Sequence, residues 1–342
     1  MVRSVRFAFL LPIILCGPLA MSAQKAALDS VLVLLKQHPA RDLGRLDLLS
    51  EVVRRYEFIH ARRGMPLGDE AIALARSLGD ERRLVIAIYR RAALEQSAAT
   101  SVDRGKELAE AIAIGRRLGL RSELAWTLLR KGFNDFNQNG PDTNRTEFLE
   151  AARIFHGLGD AEGEGAALAF RSVDVRTADP AGRRDLYQQA ERLLEKGRHT
   201  EWLVYCLQLQ LLWHSWENRY EEAIACGERA LALCSTTDYD MLIESTHAML
   251  GSANKEAGNY RPAVEHFLVA LRMSEALDLP GTGAASCLNL GPIFENLHDT
   301  TQAIAYLERG YHLAEQAGSP YLMGFALRGL GTIASERNDL PK

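Results

Sequence analysis

Residues 241–278 read MLIESTHAMLGSANKEAGNYRPAVEHFLVALRMSEALD and contain two amphipathic helical patterns. The break between the two falls at Gly258, because glycine suits the left-handed backbone position just past the end of a helix. The second helix begins near Tyr260 and tolerates Pro262 in its first turn. Its apolar residues recur at spacings of three and four, so one face is buried. This stretch therefore predicts an antiparallel helical hairpin.

The same pattern recurs along the whole chain with a regular period. A small residue stands at each corresponding position, and the successive steps are 40, 40, 39, 40, 40 and 40. A period of this length indicates a stacked array of repeats, in which no single unit can bury its apolar face alone. It argues against a globular domain built around one catalytic pocket. The positions are Ala71, Ala111, Ala151, Ala190, Ala230, Ala270 and Gly310.

The spacing within each unit resembles that of the tetratricopeptide repeat (TPR). Gly251 is followed by Ala263, Phe267 and Ala270 at offsets +12, +16 and +19, as in that family. The resemblance covers roughly residues 26–342 and is strongest in the last three or four units. Because these units exceed the usual repeat length of about 34 residues, they resemble the longer repeats of the MalT-like TPR group and of exported bacterial sensor regions. The resemblance implies an all-α fold, a right-handed α-solenoid of antiparallel helix pairs.

The period also predicts where the helices lie within residues 25–342. A lone helix at 25–37 precedes seven helix pairs, and the first helix of an eighth unit follows at 320–336. The predicted pairs are 41–63/65–78, 81–98/102–118, 121–138/143–158, 161–176/180–196, 200–217/219–234, 240–257/260–277 and 281–297/300–317.

Residues 1–23 have the pattern of a secretory signal peptide. Arg3 and Arg6 precede an apolar run from Phe7 to Leu15, and small residues then suit cleavage near position 22 or 23. An uncleaved anchor is a second reading, although the run is short for a membrane span of about 20 apolar residues. A lipoprotein modified at Cys16 is a third. The signal peptide predicts a periplasmic or secreted bacterial protein.

The other end of the sequence breaks the period. Gly331 stands at the position that Gly291 holds one repeat earlier, and the alanine that would open the partner helix falls at position 343, just past Lys342. Terminal units of solenoids normally carry a capping helix with a polar outer face. We therefore hypothesise that the natural chain, or that of a close relative, continues into further repeats, with or without an output domain.

Composition and motifs exclude several classes of function. The net charge is −4 with no basic stripe, which argues against nucleic acid as a partner. The histidines are scattered, and no metal-binding or phosphate-loop motif occurs. We therefore expect no enzymatic activity, no cofactor and no metal. The cysteines after residue 23 allow a disulfide between Cys206 and Cys234, or free buried thiols at these positions and at Cys226 and Cys287.

We expect the first helix of each pair to line a concave groove, as the TPR resemblance implies. Large aromatic residues and arginine are the usual anchors of protein–peptide interfaces. A cluster rich in tryptophan and tyrosine between residues 202 and 220 fits either a core or a ligand cage. Phe133 and Phe136 fit either the groove or the core between helices. The candidate groove residues are Tyr56, Tyr89, Trp126, Asn137, Arg176, Tyr205, Gln208, Trp216, Lys255, Glu295, Asn296 and Arg328.

Two functions fit this pattern. The first is an exported, non-catalytic scaffold that binds a protein or peptide in its concave groove. The second is the periplasmic sensor region of a membrane signalling protein, with its transmembrane segment and its diguanylate cyclase or histidine kinase domain beyond residue 342. Contact with a membrane would then occur only through that missing anchor. No pattern in the sequence indicates an oligomeric state.

Overall fold

The structure is a computed structural model of the chain. The predicted signal peptide lies outside the described residues, apart from Ala23 at the start of the first helix. The positions beyond Glu336, where the period breaks, lie outside them as well. The residues that the structure describes are 23–98, 102–139, 146–174, 180–197, 199–235 and 237–336.

Across these ranges the chain forms sixteen α-helices and no strand, which confirms the predicted all-α solenoid. Seven consecutive helix pairs, from α2/α3 to α14/α15, stand between a lone first helix and a lone last one. The helices are α1 (Ala23–Gln37), α2 (Leu43–Ile59), α3 (Ala61–Leu78), α4 (Glu81–Ser97), α5 (Gly105–Leu118), α6 (Arg121–Asn139), α7 (Thr146–Leu158), α8 (Ala161–Asp174), α9 (Pro180–Leu194), α10 (Thr200–Trp216), α11 (Tyr220–Cys234), α12 (Asp240–Glu256), α13 (Tyr260–Ala276), α14 (Pro280–Asn296), α15 (Thr300–Gln316) and α16 (Pro320–Glu336).

The largest departure from the predicted bounds occurs in the first pair. Helix α2 ends at Ile59 rather than at residue 63, and α3 begins at Ala61 after a single non-helical residue, His60. The two helices also cross closely, because a Cβ atom on Gly64 would lie 2.7 Å from Cβ of Tyr56. Pro66 therefore lies inside α3 instead of in its first turn.

The turn within each later pair uses the left-handed backbone that the sequence predicted at Gly258, where φ is 80°. Asn218 and His298 occupy the equivalent positions of the preceding and the following pair, and both have φ of 60°. Asparagine and histidine are among the residues that tolerate this conformation better than most. The turn geometry therefore repeats even where glycine does not.

The two helices of a pair pack closely because a small residue on one helix faces a large side chain on the other. A Cβ atom on Gly251 would lie 2.8 Å from the ring of Phe267, and one on Gly291 would lie 2.8 Å from Leu307. In the α10/α11 pair the sizes are exchanged, since Leu211 packs against Gly227. The offset from Gly251 to Phe267 that supported the TPR resemblance is thus a packing constraint.

The first helices of the pairs form a closed circle. Helices α2, α4, α6, α8, α10 and α12 each contact the next, and α12 contacts α2 again. Phe58 on α2 packs against Trp202 and Tyr239, with ring centroids 6.1 and 5.7 Å away. Ion pairs join Lys25 to Asp240 and Arg62 to Asp278 on the outside of this seam. The sequence led us to expect an open groove, whereas the inner side of the first six pairs is enclosed.

The four cysteines after residue 23 are free thiols, so the Cys206–Cys234 disulfide is absent. Burial raises the pKa of Cys206 to about 12 and the pKa of Cys234 to about 11. Thiols with raised pKa values react slowly, because the thiolate is the reactive form. None of the described helices is both long enough and apolar enough to span a membrane.

Candidate ligand-binding site inside the circle of helices

A cavity of about 270 Å³ lies on the inner side of the circle, and we call it the inner cavity. Its residues come from α2, α4, α6 and α10 and from the start of α8, which are the first helices of five consecutive pairs. The lining combines an aromatic surface with charged groups of both signs. The aromatic residues are Phe58, Tyr89, Trp126 and Trp202, and the charged residues are Arg54, Glu57, Arg90, Arg130, Asp160, Glu162 and Glu201, beside His199.

The aromatic surface of the inner cavity is held in place by ring contacts. Trp126 and Trp202 lie with centroids 5.2 Å apart and planes inclined at 31°. Phe155 meets Trp126 edge to face at 5.0 Å from behind. Such contacts fix the orientation of both indoles, so the half-buried Trp126 presents a rigid apolar face to the cavity.

Arg130 anchors the floor of the inner cavity and is only 4% exposed. Its Nη2 donates to Glu57 Oε1 at 2.7 Å and its Nη1 donates to Gln96 Oε1 at 2.7 Å. The guanidinium carbon lies 5.4 Å from the centre of the Trp202 ring, within reach of a cation–π contact. Burial raises the pKa of Glu57, and the charge of Arg130 opposes that rise. The Nε of Arg130 is buried without a hydrogen-bond partner in the described chain.

Two further arginines reach the same cavity. Arg54 donates two hydrogen bonds to Glu51, at 2.9 and 2.8 Å. Arg90 donates from Nη1 to the carbonyl oxygen of Ser50 at 2.6 Å and forms no ion pair in the described chain. Because a guanidinium carries five donors, Arg90 keeps several for a ligand.

The acidic residues come from the first turns of α8 and α10. Glu201 is 6% exposed, and its Oε2 accepts a hydrogen bond from the Tyr239 hydroxyl at 3.0 Å. Glu162 accepts from the backbone N–H and the ring of His199. Asp160 caps α8 by accepting from the N–H of Gly163 at 2.9 Å. Neither Glu201 nor Asp160 has an ion-pair partner within the described ranges.

Of the predicted groove residues, the structure brings Tyr89 and Trp126 together in the inner cavity. Tyr56 instead lines a separate cavity of about 520 Å³ between α1, α2 and α13. Tyr205 lies behind the inner cavity, where its ring packs against Phe170 at 6.1 Å. Burial raises the pKa of Tyr205.

Gln208 is 5% exposed and joins α10 to α12. Its Nε2 donates to the carbonyl oxygen of Leu242 at 3.1 Å and to the hydroxyl oxygens of Ser245 and Thr246. Burial and these bonds leave Gln208 no surface for a ligand, because its amide nitrogen already joins two helices. Trp216, by contrast, is 54% exposed at the end of α10 and does not line the inner cavity.

The remaining candidates lie on the later units, apart from one another. Lys255 Nζ donates to Asn289 Oδ1 at 2.8 Å, and Asn296 Nδ2 donates to the Tyr260 hydroxyl at 3.3 Å. Glu295 is half-buried, and Arg328 is exposed with its guanidinium 5.0 Å from the Phe325 ring. The side chain of Asn137 and the whole of Arg176 lie outside the described residues.

The aromatic cluster between residues 202 and 220 was expected to form either a core or a ligand cage, and its members divide between the two. Trp213 belongs to the core, where its ring lies 5.7 Å from Tyr187. Trp202 forms part of the cavity wall. Phe133 packs against Phe170 at 5.4 Å, as expected for a residue between helices.

Arg90, Arg130 and Glu201 were missed because the TPR offsets assign only some positions to the inner face. One signal could have found two of them. Arg90 and Arg130 occupy the same position in consecutive repeats. In the described chain no cluster of three or more metal-ligating side chains occurs.

No family model matches the chain, and no curated protein matches it. Several solved structures, however, are similar to the chain. A Rap protein complexed with Competence and Sporulation Factor aligns with a TM-score of 0.59 and 12% identity, covering 86% of this chain and 87% of that one. Aspartyl phosphate phosphatase F from Bacillus subtilis aligns with a TM-score of 0.52 and 13% identity, covering 85% and 84%.

A third similar structure is a signal-transduction ATPase with numerous domains and a tetratricopeptide repeat sensor, from Pyrococcus horikoshii. Its TM-score is 0.52 and its identity 15%, and the alignment covers 91% of this chain but 50% of that one. Identities this low speak for the fold alone. The chain therefore has a TPR-like helical repeat fold.

Proposed function

We propose that this chain is a non-catalytic scaffold that binds a peptide segment of a protein partner in the inner cavity. The observation that carries the proposal is the rigid pair of Trp126 and Trp202 beside arginine side chains, inside a circle of helices. Tryptophan, tyrosine and arginine are the residues that most often dominate binding energy, and they do so in enclosed pockets. The Rap protein that shares this fold was solved with a bound factor, which supports the proposal.

Photo-cross-linking and peptide capture together test this function. A pool of chymotryptic peptides from the bacterial envelope is passed over the immobilised protein, and the retained peptides are identified by mass spectrometry. A benzophenone amino acid at position 89, on the cavity wall, should cross-link to the same peptides. Capture without cross-linking from position 89 would place binding elsewhere and contradict the proposal.

Two tryptophan variants make the capture experiment specific. Trp126→Ala removes an anchor of the inner cavity and should lower peptide recovery about tenfold or more. Trp216→Ala removes an exposed indole outside the cavity and should leave recovery unchanged. Equal recovery by wild type and both variants would contradict the proposal, provided that all three have the same circular dichroism spectrum.

The proposal also includes export, with residues 1–23 acting as a cleaved signal peptide. The charged start and the apolar run that follows support it. A fusion of residues 1–30 to alkaline phosphatase lacking its own signal should be active in the bacterial periplasm. An inactive, uncleaved fusion would contradict export without affecting the proposed peptide binding.

A further inference from the structure

The charged residues of the inner cavity differ in whether the protein itself neutralises them. Arg130 pairs with Glu57, Arg54 pairs with Glu51, and Glu162 pairs with a histidine. Arg90 and Glu201 line the same cavity and form no salt bridge within 4 Å in the part of the chain that the structure describes. Each feels an opposite charge only at longer range, Arg90 that of Glu57 and Glu201 that of Arg54. The cavity therefore presents one positive and one negative group that the protein leaves available to a ligand.

Their helices place these two groups on opposite sides. In the circle α2, α4, α6, α8, α10, α12, the helix of Arg90 (α4) and the helix of Glu201 (α10) are three steps apart in either direction. Trp126 lies between them along the circle, on α6, and its partner Trp202 follows Glu201 on α10. A ligand that reaches both must carry opposite charges at its two ends and an apolar part between.

Burial strengthens the case for a ligand at Glu201. A buried carboxylate without a cation is costly unless hydrogen bonds or a partner compensate for its lost hydration. Glu201 accepts a hydrogen bond from the neutral Tyr239 hydroxyl and is more than nine-tenths buried. Asp160 also lines the cavity and adds a second negative group without a salt bridge among the described residues. A ligand ammonium or guanidinium at Glu201 would lie beside an indole face, which itself attracts cations.

We infer that the inner cavity recognises a short peptide segment with a basic and an acidic residue close together, the basic group bound at Glu201 and the acidic group at Arg90. This inference rests on the proposed peptide binding and specifies its ligand. At about 270 Å³ the cavity is just below the size of sites for drug-sized molecules, which begin at about 300 Å³. It therefore holds the side chains of two or three residues rather than a long segment.

Four blocked heptapeptides test the inference: acetyl-GGKAEGG-amide, the two peptides in which glutamine replaces either the lysine or the glutamate, and the peptide with both replaced. Binding is followed by the intrinsic fluorescence of the tryptophans, up to millimolar peptide. Each charge–charge contact in a buried site is expected to contribute about tenfold or more in affinity. The peptide with both charges should bind best, and the neutral one should show no binding.

Two protein variants assign each charge to its residue. Glu201→Gln can still accept the hydrogen bond from Tyr239, so the fold is retained, but the preference for lysine over glutamine should disappear. Arg90→Gln should abolish only the preference for glutamate. The control variants Glu221→Gln and Arg184→Gln change exposed residues outside the cavity and should keep both preferences.

The possible outcomes distinguish a failure of this inference from a failure of the proposed peptide binding. If captured peptides bind through Trp126 but show no enrichment of adjacent opposite charges, and both variants keep wild-type preferences, the inference is wrong and the proposed function stands. If no peptide binds in either experiment, both are overturned. Free lysine and glutamate serve as a further arm, and binding as tight as that of the heptapeptide would identify a free amino acid as the ligand and overturn the inference.

Discussion

The circle formed by α2–α13 and the extension formed by α14–α16 use the same repeat in different surroundings. In the circle, the inner helices meet across the seam, where Phe58 packs among three aromatic rings. In the extension, α16 leaves Tyr321 77% exposed, and a Cβ atom on Gly331 would meet no other described atom within 4 Å. The period is a local property of each helix pair. Closure of the circle depends instead on contacts between distant parts of the sequence, such as the one between Phe58 and Tyr239.

The sharpest test of this difference is to remove the large side chain at the seam. Phe58→Ala should lower the free energy of unfolding by about 3–5 kcal/mol, because it empties a buried space between α2, α10 and α12. Urea denaturation followed by circular dichroism measures the change. Phe325→Ala on α16 is the matched control, and it should change stability by about 0.5 kcal/mol or less, since this ring is exposed. Equal effects would show that the seam contributes no more than a surface.

The second test uses pH, because the circle buries a carboxyl group on α12. Burial raises the pKa of Glu244 to about 7, and a hydrogen bond with Thr282 opposes that rise only in part. Because this pKa is higher in the folded state, the protonated carboxyl group contributes to the free energy of unfolding. That contribution is complete below about pH 4.5, the pKa of an unperturbed glutamate, and is lost as the pH rises through 7.

We therefore expect wild-type stability to fall by roughly 3 kcal/mol between pH 5 and pH 8, relative to Glu244→Gln. Denaturation curves across this range measure the difference. Glu308→Gln, at an exposed position on α15, should follow the wild-type pH profile. Parallel profiles for wild type and Glu244→Gln would mean that the carboxyl group is not buried as described.

The third test compares one repeat position in two surroundings. A Cβ atom on Gly291 would lie 2.8 Å from Leu307, so Gly291→Ala should cost about 1–3 kcal/mol through overpacking. Gly331, at the same position of the next repeat, has free space around its Cα. Gly331→Ala should instead stabilise the protein by about 0.5–1 kcal/mol, because alanine favours the helix. Two changes of the same sign would show that the repeat position, and not its surroundings, decides the effect.

Most of the fold could be predicted because the signals are local. The small residue at Gly251 and the ring of Phe267 make contact within one hairpin, and the turn at Gly258 lies in the same hairpin. The end of α2 was predicted one turn too late, at residue 63 rather than at Ile59. Nothing in the repeat period reports how many units complete a circle.

The sequence predicted a residue of the candidate site correctly only where the face of its own helix determines whether it lines the cavity. Trp126 and Tyr89 point to the inner side for that reason, and they line the cavity. Gln208 was assigned to the same inner face but is covered by α12, so its accessibility depends on the neighbouring unit. Glu201 and Arg90 acquire their significance from the absence of ion-pair partners among the described residues, which only the assembled circle reveals.

The smallest effect is expected at the polar edge of the seam. Arg62 Nη1 donates to the backbone carbonyl oxygen of Asp278 at 2.8 Å and lies 3.3 Å from the Asp278 carboxylate. The Arg62 side chain is 37% exposed and the Asp278 side chain 77%. Exposed pairs contribute about 0.2–1 kcal/mol and are screened by salt. Arg62→Ala should therefore lower stability by less than about 1 kcal/mol, and the difference from wild type should shrink in concentrated sodium chloride. A larger loss, unaffected by salt, would mean that the contacts of Arg62 and not the packing of Phe58 hold the circle closed.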